Sequence, residues 1–129
     1  MSSPKSALYR IHILSTTLLL SLGLATSAHG HANLVNATPA ANSIAMPPPT
    51  ELRLKFSEEI EIKFTKVKVI GPDKGTIEAG ALKLDPNDNT VVIVPLMSPL
   101  PNGKYTVDWQ ALSLDGHKTK GNYSFESMR

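Results

Sequence analysis

Leu100-Pro101-Asn102-Gly103-Lys104-Tyr105-Thr106-Val107-Asp108-Trp109 is the stretch whose reading decides the fold. Pro, Asn and Gly in succession are turn chemistry. After them Tyr105, Val107, Trp109 and Ala111 fall on every second position, so they share one face of a strand. The same period appears on either side. In Glu51-Leu52-Arg53-Leu54-Lys55-Phe56 it turns Leu52, Leu54 and Phe56 inward and leaves Glu51, Arg53 and Lys55 in water. Thr65 to Ile70 repeats it with Val67 and Val69, and Lys118 to Glu126 with Tyr123 and Phe125 inward and Asn122 and Ser124 outward. Val91-Val92-Ile93-Val94 is continuous, the pattern of a central strand. Gly71-Pro72-Asp73-Lys74-Gly75 and Asp85-Pro86-Asn87-Asp88-Asn89 read as turns, Ala81 to Leu84 as a short strand, and Pro47-Pro48-Pro49 as a stiff extended connection. No helical period of useful length appears.

The opening of Leu100 to Trp109 resembles a tyrosine corner, in which a Tyr hydroxyl of an immunoglobulin-like sandwich bonds back to the backbone upstream. About seven strands in one domain predict an all-β, immunoglobulin-like Greek-key β-sandwich.

That domain is expected to begin at residue 31. Lys5 and Arg10 precede an apolar run from Ile13 to Ala25 that ends in small residues, the layout of a cleaved signal peptide. The run is shorter than the roughly 20 residues of a membrane span. Of 13 basic and 11 acidic residues in the chain, Lys5 and Arg10 leave with residues 1–30, so the exported domain, 31–129, is nearly neutral. Its net charge supports neither a nucleic-acid footprint nor a polybasic membrane patch. With 0 cysteines the fold rests on its apolar core, and thiolate metal sites and redox pairs are excluded.

Four histidines remain to be explained. His12 lies in the leader, and His29 and His31 stand where it ends. Small residues favour cutting after Gly30, which frees His31, or after Ala28, which frees His29-Gly30-His31. A terminal His chelates through its imidazole and its α-amine, whose ordinary pKa is about 7.7. The alternative cut places His31 third, where amine, two backbone amides and imidazole form a square-planar nest for Cu(II) or Ni(II). In Asp115-Gly116-His117, side chains two apart along an extended segment converge, although Asp-Gly is also an ordinary turn signal. An amine, two imidazoles and a carboxylate suit Cu(II) better than Mg(II) or Ca(II); zinc accepts the same set tetrahedrally with lower intrinsic affinity.

The chain resembles the CopC-type periplasmic copper-binding family from residue 31 to about 126. The likeness rests on His31-Ala32-Asn33-Leu34 followed by Thr38-Pro39-Ala40, on Leu54-Lys55-Phe56-Ser57-Glu58, on Leu100 to Trp109, and on Asp115-Gly116-His117 continuing to Phe125. It implies a first residue at His31, hence cleavage after Gly30. It also implies one Cu(II) per chain held by the His31 amine and imidazole, the Asp115 carboxylate and the His117 imidazole, with Glu58 close to the copper and outside the ligand set. One branch carries a methionine-rich loop for Cu(I). Here the corresponding Gly71-Pro72-Asp73-Lys74-Gly75-Thr76-Ile77-Glu78 has no methionine, and Met46, Met97 and Met128 are scattered, so no Cu(I) methionine site is expected and the YobA-like branch is indicated.

The resemblance further implies a monomeric periplasmic carrier or buffer in copper homeostasis or resistance, without turnover, beside an inner-membrane partner of the CopD type. A copper monooxygenase using a histidine brace is the competing reading. The small domain, the equatorial carboxylate and the lack of a flat aromatic surface weigh against it. A bare interaction module with incidental histidines is the third, and no Ser-His-Asp or paired-carboxylate arrangement supports hydrolysis.

Overall fold

The structure, a computed structural model, describes residues 31–129; the predicted leader, His12, His29 and both cleavage positions lie outside the described residues. Its strands are β1 (Leu34–Thr38), β2 (Ile44–Ala45), β3 (Glu51–Phe56), β4 (Lys66–Ile70), β5 (Thr76–Ile77), β6 (Lys83–Asp85), β7 (Asp88–Pro95), β8 (Gly103–Leu112) and β9 (Lys118–Ser127). A single 3-10 turn, Ile62–Phe64, precedes β4. One sheet has the order β1-β3-β7-β6 and the other β2-β9-β8-β4-β5, which together make the expected all-β sandwich.

The two-residue period does what it promised. Leu52, Leu54 and Phe56 of β3, Val92 and Val94 of β7, Tyr105, Val107 and Ala111 of β8, and Phe125 of β9 are buried between the sheets. Phe56 meets Trp109 of the opposite sheet edge to face, with ring centroids 5.2 Å apart. Trp109 lies so close over β9 that a Cβ at Gly121 would stand 2.6 Å from its ring, so only glycine fits opposite it. β7 sits inside its sheet and all of Val91 to Val94 is buried, Ile93 lying between Arg53 and Lys83 of its neighbours. The tyrosine corner is present: the Tyr105 hydroxyl donates to the Pro101 carbonyl at 2.7 Å.

The structure departs from the sequence pattern at the edges. β1, β2 and β5 are not announced by alternation. In β1 the register shifts between Leu34 and Asn36, which breaks the period, and β2 and β5 have two residues each. β6 starts at Lys83 rather than Ala81 and the turn after it narrows to Pro86-Asn87, because the Asp85 carboxylate accepts from the Asn87 N–H at 2.8 Å and β7 opens at Asp88.

On the outside of the four-stranded sheet the charges of β3 pair. Arg53 bonds Asp85 and Glu51, and Lys55 reaches Asp88 at 2.9 Å. The Asn87 backbone and then Arg53 lower the Asp85 pKa; Lys55 and then the Thr90 hydroxyl hold Asp88 well below the usual carboxylate range. A carboxyl whose folded pKa is depressed stabilises the fold above its unfolded pKa of about 3.9 and loses that contribution as pH falls below it. The urea midpoint is therefore expected to hold between about pH 7 and pH 5 and to fall below about pH 4, with Asp88→Asn flattening that acid limb. Tyr105→Phe, which removes the part-buried hydrogen bond to the Pro101 carbonyl, is expected to cost about 1 kcal/mol in the same urea titration.

Candidate metal centre

Residues 31–33 lead into β1 and are fastened from both sheets. Ala32 is fully buried, which pins the segment to the core. The Thr119 hydroxyl, on β9, donates to the Ala32 carbonyl at 2.7 Å. Ser57, directly after β3, donates its hydroxyl to the His31 carbonyl at 3.1 Å and accepts from the Asn33 N–H at 3.0 Å; its own N–H donates to the Asn33 carbonyl at 2.9 Å. This clamp leaves the His31 side chain exposed and brings its ring edge to face with His117, centroids 4.9 Å apart.

Asp115 and His117 stand on the loop from β8 to β9. The Ser113 N–H donates to the His117 carbonyl at 3.0 Å and the Gly116 N–H to the Ser113 carbonyl at 2.9 Å, closing a tight turn. Gly116 has φ +88° with nothing within 4 Å of where a Cβ would stand, so the left-handed conformation rather than crowding calls for glycine. Asp115 and His117 do converge, with His117 Nδ1 3.0 Å from Asp115 Oδ2, but through this turn and not along an extended segment.

The buried Ser113 hydroxyl donates to Asp115 Oδ1, which also accepts from the His117 N–H at 3.2 Å. That hydroxyl, followed by the His117 ring and backbone, holds the Asp115 carboxyl well below the usual carboxylate range. The result is an anionic carboxylate paired with the His117 imidazole, whose ring the exposed His31 ring meets edge to face, the Asp115 and His117 side chains being 33% and 45% exposed. Such nitrogen and oxygen donors suit a borderline divalent metal.

Among the described residues no three acidic or imidazole side chains surround one point. Asp115 and His117 are closed on each other, and in the chain as it stands the His31 nitrogen belongs to a peptide bond. Glu58 is exposed and makes no hydrogen bond or ion pair among the described residues. Its neighbour Ser57 makes the contact instead. Ser57, Ser113 and Thr119 are the residues that sequence reasoning missed; the signal available was a hydroxyl inside each of the Phe56-Ser57-Glu58 and His117-Lys118-Thr119 segments. Ser113→Ala is expected to raise the Asp115 carboxyl pKa toward the ordinary carboxylate value near 4, read by carbon NMR titration of its side chain; an unmoved titration would remove the hydroxyl as the cause.

The comparisons agree in one direction. A family model for the CopC domain matches residues 34–127. Protein YobA of Escherichia coli (strain K12) is 40% identical over 124 residues, covering 96% of each chain. Copper resistance protein C of Escherichia coli is 37% identical over 113 residues, covering 82% of this chain and 88% of its own. The crystal structure of PcoC, described as a methionine-rich copper resistance protein from Escherichia coli, matches with a TM-score of 0.68 and 30% identity over 77% of this chain and all of its own. Shared fold, near full-length coverage and the family match together establish that the chain belongs to the CopC domain family.

Proposed function

We propose that the protein, exported to the periplasm and cut after Gly30, is a copper carrier or buffer that holds one Cu(II) per chain without turnover. The ligands are the His31 amine and imidazole, the Asp115 carboxylate and the His117 imidazole. The observation that carries this reading is the meeting of the His31 and His117 rings at 4.9 Å beside the Asp115 carboxylate, from opposite ends of the domain. Relatives named for copper resistance support it.

The parts have separate tasks. Cutting the leader turns an amide nitrogen into an amine, which is a donor once it has lost its proton. The Ser57 and Thr119 hydroxyls hold residues 31–33 to the sandwich, so the new terminus stays beside His117. The Ser113 hydroxyl favours the ionised form of Asp115, and the Asp115 carboxylate and His117 imidazole would hold the copper together with His31. Glu58 acts from outside the ligand set. Met46 and Met97 stand exposed in separate connections, and no Cu(I) methionine site is assigned. The protein works as a monomer and passes copper to an inner-membrane partner of the CopD type.

Intact mass of the exported protein, with and without one equivalent of Cu(II), tests this. The expected species begins at His31 and retains one copper, and His117→Ala weakens affinity by more than the roughly hundredfold seen for residues that only support ligands. A chain beginning at His29 that binds copper through its terminal tripeptide, or an uncut leader, would overturn the ligand set.

A further inference from the structure

The outer faces of the two sheets treat charge differently. On the four-stranded sheet Arg53 and Lys55 are paired with Glu51, Asp85 and Asp88, which leaves Lys83 of β6 as the one cation of its strands without an ion pair among the described residues. On the five-stranded sheet Lys66 and Lys68 of β4 and Lys118 and Lys120 of β9 stand exposed, and Lys63 of the 3-10 turn extends the group. None of these five lysines has an ion pair among the described residues. The register places Lys66 and Lys120 on either side of Gln110, two strand spacings or about 10 Å apart. Two shallow depressions of about 660 and 440 Å³ share Lys66, Gln110 and Lys120, and Asp108 is the one acidic residue that lines either of them. Phe64, at the rim, is 64% exposed.

Like charges gathered without partners oppose folding, so the fold itself does not account for them. The near-neutral charge of residues 31–129 conceals the patch, because a sum over residues is blind to placement. We propose that this face docks on an anionic phospholipid surface, with Phe64 entering the interface. The face is a sheet without a deep pocket, and its cations are all lysine. Lysine is a flexible point charge suited to diffuse attraction, whereas paired recognition of a fixed carboxylate or phosphate favours the planar fork of arginine. An exposed aromatic beside a basic face completes the usual composition of a peripheral membrane contact. Lys118 directly follows His117, so docking would hold the histidine pair beside the lipid.

Co-sedimentation of the exported protein with vesicles of mixed phosphatidylglycerol and phosphatidylcholine, against phosphatidylcholine alone, tests this. Binding to the anionic vesicles at low salt, its loss at about 0.5 M NaCl and none to the neutral vesicles are expected. At about fivefold per lysine, Lys66→Glu, Lys68→Glu and Lys120→Glu combined should weaken partition by at least about a hundredfold. The corresponding Lys→Gln set should fall between that variant and the native protein, and Phe64→Ser should weaken binding without altering its salt dependence. Equal binding to neutral vesicles would overturn the proposal. So would no retention on anionic vesicles at low salt, including the case of an acidic protein bound instead, or native-like binding by the charge-reversed variant.

Discussion

The contact between Phe56 and Trp109 joins the two sheets, and the candidate metal centre is built on the segments that follow these two residues. No disulfide joins the layers, since the chain has no cysteine. Burial of apolar side chains must do so, at about 1.5–3 kcal/mol for each large one. Each partner leads directly into a part of the site. Phe56 is followed by Ser57, which holds the His31 carbonyl; Trp109 lies on the strand that ends just before Ser113, which holds Asp115. Fixing the core therefore fixes both halves of the candidate site, although His31, Asp115 and His117 are all exposed.

Much of this was legible in the sequence for a physical reason. A strand with one buried face writes its orientation into every second residue, so β3, β8 and the inward side chains of β9 could be read directly. The tyrosine corner was legible because a turn and a tyrosine are local in sequence. What stayed hidden depends on distant partners. β1 owes its place to pairing with β3 through an irregular register, and β2 to a parallel pairing with the end of β9. At the site, His31, Asp115 and His117 could be named from chemistry, but the hydroxyls of Ser57 and Thr119 act on backbone carbonyls far away in sequence, and such bonds leave no periodic trace. Asp115 and His117 converge by way of a left-handed Gly116, so the right neighbours were inferred from the wrong backbone shape.

The outer faces make a related point about composition. Arg53, Lys55 and their acidic partners serve the fold, while the lysines of β4 and β9 do not, yet a count of charged residues gives each the same weight. Pairing, which only the folded chain defines, separates structural charge from charge left for solvent or a partner.

Trp109 is the only tryptophan of the chain, and it is 7% exposed, pressed against Phe56 and over Gly121. The molecule thus carries one indole fluorophore at the seam between its layers. Its emission reports whether the layers are together without any label, and with no second indole to contribute, a change in that signal can be assigned to a single place in the fold.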